Sequence, residues 1–326
     1  DLVVGPQAYH RLPKMLEKVY KGLKSIDTTF PIEDKFEHLP RSHNLKKSPV
    51  AFLTVQEGCD KFCAFCVVPY TRGSEVSRSP IKLIEEAKRL VSDGVVEITL
   101  LGQNVNAFKY KDSGEIWSLS RLIKSLAKID KLKRIRFTTS HPNDMSKDLI
   151  KLFGDEEKLM PYLHLPIQSG SNSVLRAMNR KHDVNKYIDV IERVRMVRPD
   201  IAISGDFIVG FPGEKENDFR ATLDLCQKVN YAQAYSFKYS ARPGTPAYER
   251  AEISEVEKSN RLYQLQDLLG KQQKAFQNEM IGRVYPVLIE KKGKEAGQVV
   301  GRSPYLQPVF LNASTEIIGR IINVKI

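Results

Sequence analysis

Gly58-Cys59-Asp60-Lys61-Phe62-Cys63-Ala64-Phe65-Cys66 follows directly on the apolar run Ala51–Val55. A short run of β-branched and aromatic residues reads as a buried strand, so the cysteines fall on the loop at a strand's carboxyl end. Thiolates four and three residues apart can converge on one soft metal centre. Four cysteines in 326 residues are too few for a secreted disulfide scaffold, and the clustering of three of them points to a metal in a reducing compartment. Structural zinc takes four protein ligands, commonly as two Cys-x-x-Cys pairs, and the sequence offers no second pair. An iron–sulfur cluster with one iron open to a small molecule satisfies the ligand count. A zinc knuckle completed by His141 or His164 is the alternative. Cys226 shares a helical face with Leu223 and Val229 and reads as a small core residue.

Working outward, five more apolar runs repeat the pattern: Val95–Leu101, Ile135–Thr139, Tyr162–Ile167, Ile201–Val209 and Ala234–Tyr239. Helical segments separate them. Ser79-Pro80 offers a capping hydroxyl before a proline at the first helical position, ahead of Ile81, Ile84, Ala87, Leu90 and Val91. Leu119, Leu122, Ile123 and Leu126 repeat the spacing, as do Tyr187, Ile188, Ile191 and Val194. Six strand–helix alternations predict an α/β fold with right-handed crossovers and a parallel sheet, either open or curled into a partial barrel. Both forms place chemistry at the carboxyl ends of the strands. Before the first strand, the spacing predicts a helix over Leu12–Leu23 and then a linker containing Pro31, Pro40 and Pro49. Ser254-Glu255-Val256-Glu257 is a capping box opening a long helix through Leu262, Leu265, Leu269, Phe276 and Met280. Beyond Gly282, the segments Val284–Ile289, Gln298–Arg302, Val309–Asn312 and Ile317–Ile326 predict a small all-β barrel. The expected division is therefore 1–49, 50–253, 254–281 and 282–326.

Apolar residues at 41% and charged residues at 28% are a globular composition. No run approaches the ~18 apolar residues of a membrane span, and no export signal opens the chain, so a cytoplasmic location is expected. Lys plus Arg number 51 against 39 Asp plus Glu, a net charge of +12 that favours a polyanionic partner. Basic residues cluster at Lys131–Arg136, at Arg176, Arg180 and Lys181, and at Arg193, Arg195 and Arg198. In the terminal module Arg283, Lys291, Lys292, Arg302 and Arg320 accompany Tyr285, Tyr305 and Phe310. Such a surface can track phosphates while stacking on unpaired bases. These features alone also suit a non-catalytic, zinc-containing RNA-binding protein.

Cys59-x3-Cys63-x2-Cys66, with Phe65 before the last cysteine, resembles the signature of the radical S-adenosylmethionine (SAM) enzymes. The resemblance implies that the three cysteines hold a 4Fe-4S cluster whose unique iron binds SAM, on a partial (β/α)6 barrel. The extension through Pro69-Tyr70-Thr71-Arg72-Gly73 is similar to the methylthiotransferases. Leu101–Ala107, Arg136–Pro142 and His164–Ser171 look like the branch modifying isopentenylated tRNA adenosine (the MiaB type). The other branches act on threonylcarbamoyladenosine in tRNA or on a ribosomal protein. By the same resemblance, Phe65, Gln103, Asn104, Gln168, Ser169, Gly170, Ile208, Gly210 and Tyr239 contact SAM. Arg195 is a candidate for its carboxylate, because a guanidinium matches a carboxylate bidentately. The terminal module looks like the OB-like TRAM domain, with Arg283, Lys291, Lys292, Arg302 and Arg320 as RNA contacts.

The reaction implied is methylthiolation at C2 of N6-isopentenyladenosine beside the tRNA anticodon. The implied partners are the anticodon loop and a flavodoxin- or ferredoxin-like one-electron reductant, with the protein a monomer. An aromatic C–H offers no acidic proton, so no acid–base residue is expected beyond the cluster. Family members carry a second, auxiliary 4Fe-4S cluster on three cysteines of an amino-terminal domain. Asp1–Tyr9 looks like the tail of that domain, so residues 1–49 are expected to be its remnant and the linker.

Overall fold

A computed structural model describes residues 1–29, 48–112 and 114–326; the linker prolines Pro31 and Pro40 lie outside the described residues. The six apolar runs form strands Val50–Thr54, Glu97–Leu101, Arg134–Phe137, Tyr162–His164, Ala202–Val209 and Gln233–Lys238, here numbered as the first to sixth barrel strands. The first three pair in parallel in sequence order, and so do the last three. A parallel bridge between Ile135 and Leu159 joins the two halves. Neighbours in sequence are thus neighbours in space throughout, whereas an open doubly wound sheet reverses its order at a switch point. The sheet is a partial barrel. Its first and sixth strands are its two edges, and Phe52 and Phe237 on them are 69% and 54% exposed.

Helices Pro80–Ser92, Leu119–Ala127, Lys147–Asp155, Val184–Val197 and Glu216–Val229 return the chain between strands and bury their apolar faces with the strands in one continuous core. Their starts follow local chemistry. Ser118 Oγ, Ser146 Oγ and Asp183 Oδ1 each accept from the backbone N–H three residues on, supplying a donor-rich helix end with its partner. Ser79 makes no such bond, and the proline at the first helical position sets that start instead. Two buried tyrosines pair in the core: the Tyr187 hydroxyl lies 2.8 Å from that of Tyr231 and donates to Leu165 O at 3.1 Å. Cys226 is fully buried among these side chains.

The capping box opens helix Glu255–Met280 as expected, with Ser254 Oγ accepting from Glu257 N. At 26 residues it runs about 39 Å and leads to a four-stranded antiparallel sheet ordered Pro308–Asn312, Gln298–Arg302, Val284–Lys292, Ile321–Lys325. This curled sheet closes over Val287, Ile289, Val299, Val309 and Val324.

It docks on the barrel through two arginines that the charge count assigned to a basic surface. Arg134 and Arg136, two residues apart on the third strand, share one face and are buried. Arg134 donates to Arg302 O and Pro286 O, and Arg136 to Pro304 O at 2.8 Å and Ser303 O at 3.0 Å. Glu97 of the second strand, 2% exposed, stands 3.0 Å from Arg136 Nε and 3.8 Å from Arg134 Nη1. The amino-terminal residues add a helix, Leu12–Tyr20, and a parallel strand pair, Leu2–Val4 with Ser25–Asp27. Among the described residues no helix is long and apolar enough to cross a membrane.

Candidate cluster and cofactor site

The cysteine loop is built by backbone constraints. Gly58 has φ +80°, and a Cβ there would lie 1.9 Å from Ser74 O, so only glycine fits. Its N–H donates to Gln103 Oε1 at 2.8 Å, and its carbonyl accepts from Gln56 Nε2 at 2.8 Å. Gln56 Oε1 accepts in turn from Asn104 N, so one buried side chain ties the first two strand ends together. On the other side, Ala64 N donates to Met178 O, Asn179 Nδ2 to Phe62 O, and Arg180 Nη1 to Cys63 Sγ at 3.5 Å. Lys61 pairs with Asp144 at 2.8 Å.

Cys59, Cys63 and Cys66 carry free thiols and line one cavity of about 320 Å³ with Phe65, Gln103, Asn104, Gln168, His141 and Arg180. Burial pushes the Cys59 thiol up to about 11, and burial also raises Cys66. These groups therefore remain thiols at neutral pH unless a metal displaces the proton. Among the described residues no three His, Cys, Asp or Glu side chains are grouped closely enough for a single metal ion; the thiols stand around a shared cavity instead. Arg180 is 6% exposed, pairs with no carboxylate among the described residues, and leaves Nε without a partner, as Asn104 does Oδ1 and Ser140 Oγ. A buried cation of this kind calls for an anionic ligand. Soft thiols with a guanidinium beside them fit an iron–sulfur cluster and a carboxylate-bearing cofactor.

Of the residues expected from the sequence, Phe65, Gln103, Asn104 and Gln168 meet at this cavity. Ser169 and Gly170 lie behind it against helix Glu216–Val229: Gly170 N donates to Thr222 Oγ1 at 2.9 Å, and a Cβ there would lie 2.4 Å from Ala221 O. Ile208 and Phe65 pack on a small apolar cluster that includes Tyr239, whose hydroxyl donates to Ala247 O. Gly210 turns at φ +70° beneath Lys258, and its N–H donates to Glu214.

Arg195 is a correction. It lies on the outer helix Val184–Val197 and donates to Val229 O, away from the thiols. Arg180, counted only as part of a basic cluster, is the guanidinium at the site. The non-glycine φ values of Asn179 (+60°) and Lys181 (+58°) on either side shape the turn that carries it, and no periodicity reveals such a turn.

His141 also lines the cavity, its backbone N–H and C=O both bonded to the Asn106 amide and its ring edge-on to His182. Burial, with Arg180 next, holds His141 far below the usual imidazole range and lowers His182 to about 4. In the unfolded chain both titrate near 6.5. Unfolding therefore takes up protons below that pH, and folding stability falls as pH drops from 6.5 towards 4. His182 alone accounts for about 3 kcal/mol of that loss. Denaturant unfolding of the metal-free chain across this range is expected to show the fall, and His182→Gln to reduce it to the part that His141 contributes.

A larger cavity, about 580 Å³, occupies the barrel lumen between the two edge strands. Phe52, Phe137, Tyr162, Tyr235 and Phe237 form its walls, and Glu290, Arg302 and Leu306 of the C-terminal sheet close one end. Arg302 lines this cavity and donates to Leu306 O, with its side chain still 37% exposed. Tyr305 donates to Asp200 and packs edge-on against Tyr285 and Phe276, so both tyrosines belong to the junction. Arg283, Lys291, Lys292 and Arg320 are exposed, and Phe310 is 60% exposed on an edge strand.

A thiol loop at the carboxyl edge of a parallel partial barrel defines a class, and the sequence pattern of the Radical SAM superfamily matches residues 53–226. That of the TRAM domain matches residues 278–326. The fold resembles a radical S-adenosylmethionine methyltransferase, TsrM, from Kitasatospora setae, with a TM-score of 0.57 at 14% identity, covering 76% of this chain and 52% of that one. The tRNA-2-methylthio-N(6)-dimethylallyladenosine synthase of Jannaschia sp. is 61% identical over 100% of this chain and 71% of its own length. That of Paracoccus denitrificans is 58% identical over 100% and 73%. The chain belongs to the radical SAM superfamily and, within it, to the tRNA-2-methylthio-N(6)-dimethylallyladenosine synthase family.

Proposed function

We propose that this chain binds a 4Fe-4S cluster through Cys59, Cys63 and Cys66, binds SAM beside it, and serves methylthiolation at C2 of N6-isopentenyladenosine in the tRNA anticodon loop. The observation that carries the reading is the convergence of three free thiols, Gln103, Asn104, Gln168 and an unpaired guanidinium on one cavity at the strand ends. Bound there, the cluster and SAM supply one-electron cleavage of the sulfonium and with it a radical able to take hydrogen from an aromatic C–H. Three thiolates leave one iron of four for SAM. Phe65, Gln103, Asn104 and Gln168 contact the cofactor, while Ser169, Gly170, Ile208, Gly210 and Tyr239 shape the wall behind it.

Arg180 receives the SAM carboxylate, which completes its charge pairing. Arg180→Gln is expected to weaken SAM binding roughly 10- to 100-fold, with Arg180→Lys losing less, as read by calorimetry on the cluster-loaded protein.

Residues 50–253 carry the cofactors, 254–281 connect, and 282–326 grip RNA. Arg283, Lys291, Lys292 and Arg320 follow phosphates and Phe310 stacks on a base, so binding weakens steeply with salt. A flavodoxin- or ferredoxin-like protein supplies the electron to a cytoplasmic monomer, and the inserted sulfur comes from a second, auxiliary cluster outside this loop. Anaerobic reconstitution with iron and sulfide tests the reading. The expected result is visible cluster absorption and dithionite-dependent cleavage of SAM to methionine and 5′-deoxyadenosine. Uptake of zinc with no SAM cleavage would overturn it. Unchanged 2-methylthio-isopentenyladenosine in tRNA from cells lacking the gene would overturn the substrate.

A further inference from the structure

The thiol cavity and the lumen meet at one side chain. Asp206, on the fifth barrel strand, lines both, and among the described residues no other does. Its Oδ2 lies 3.4 Å from His164 Nε2 on the neighbouring strand, and His164 Nδ1 lies 3.0 Å from Ser204 Oγ. The imidazole is thus oriented through Ser204 and stands beside one oxygen of the carboxylate. Asp206 Oδ1 has no protein partner, and no Lys or Arg pairs with the group, among the described residues. The side chain is 28% exposed, so it is neither sealed in the core nor free in solvent.

In a purine, N1 lies between C2 and C6, so the reacting carbon and the N6 amine flank one edge of the ring. With C2 towards the thiols and the N6 substituent in the lumen, that edge passes the junction of the cavities. We propose that Asp206 accepts a hydrogen bond from the N6–H of the substrate adenine and so selects an amine at that position. This rests on the function proposed above. The alkyl group on N6 then lies against Phe52, Phe137, Tyr162 and Phe237. An ionised carboxylate only accepts, so it meets an N–H favourably and repels the lone pairs of an ether oxygen placed there. A site built around such a donor rejects the analogue that lacks it.

The test uses the cluster-loaded chain and three RNA stem-loops carrying at the target position N6-isopentenyladenosine, its 6-O-isopentenyl ether analogue, or unmodified adenosine. The wild type is expected to bind the amine RNA roughly 10- to 100-fold more tightly than the ether RNA. Asp206→Ala is expected to bind the two alike. Asp206→Asn, of the same shape and able to donate as well as accept, is expected to narrow the ratio, and it carries the test if the alanine variant does not fold. A variant that keeps the wild-type ratio overturns the role of Asp206, as does a wild type that binds amine and ether alike. A wild type that binds prenylated and unmodified adenosine RNA equally overturns instead the functional reading on which the role depends.

Discussion

Cys63→Ala is expected to reduce iron in the anaerobically reconstituted chain from about four atoms per molecule towards none and to abolish dithionite-dependent SAM cleavage. A cluster held at three corners has no spare protein ligand, and no other cysteine lies on that loop to replace it. Cys226→Ala is the contrasting case. Its thiol is fully buried in the apolar core, where burial alone pushes it far up. Losing it is expected to cost about 1 kcal/mol of stability and to leave iron content and SAM cleavage unchanged. Iron analysis beside urea unfolding separates the two cysteines: one variant loses metal, the other loses stability. Loss of iron from the Cys226 variant would show that the fourth cysteine belongs to the site after all.

Glu97→Ala is expected to destabilise the protein by about 3–5 kcal/mol, because removing one partner leaves buried charge uncompensated. Two guanidiniums lie on that carboxylate, and burial already lowers Arg134 to about 10. Their main-chain acceptors in the C-terminal sheet carry dipoles but no full negative charge, and Glu290, whose field reaches both arginines, stands beside Arg302 at 3.8 Å and makes no ion pair with either, so neither replaces Glu97. The expected readout is a lowered urea midpoint together with loss of protease protection at the C-terminal sheet. Glu97→Gln keeps the shape and removes the charge, and is expected to lose most of the same stability. A change under about 1 kcal/mol would mean that water already reaches the arginines.

Much of the barrel was legible because apolar runs and helical spacing report which faces are buried. Ala51–Val55 and Ala234–Tyr239 correspond to the edge strands Val50–Thr54 and Gln233–Lys238, and Ser254 caps the long helix that its capping box predicted. The thiol loop was legible from spacing alone. Charge was harder to place, because sequence counts a guanidinium without showing where its side chain turns. Arg180 and Arg195 both looked like members of basic clusters, yet only Arg180 turns inward. For Arg134 and Arg136 a usable signal existed: two arginines two apart on a strand share a face. The parallel register that sets Glu97 opposite Arg134 explains why that face is buried, and it appears only once the strands pair. Tyr285 and Tyr305 looked like stacking aromatics for the same reason, since nothing local marks a junction between two folded units.

The docking arginines reach main-chain oxygens, not side chains, on the C-terminal sheet. This part of the lock therefore recognises a backbone curve, while Tyr305, through Asp200 and Phe276, adds the side-chain contacts of the junction. Side chains on the outer face of the sheet can diverge while the sheet stays held against the barrel. A chimera carrying another sheet of the same curvature and a tyrosine in the place of Tyr305 would be held by the same contacts, which makes the C-terminal unit exchangeable in a way the thiol loop is not.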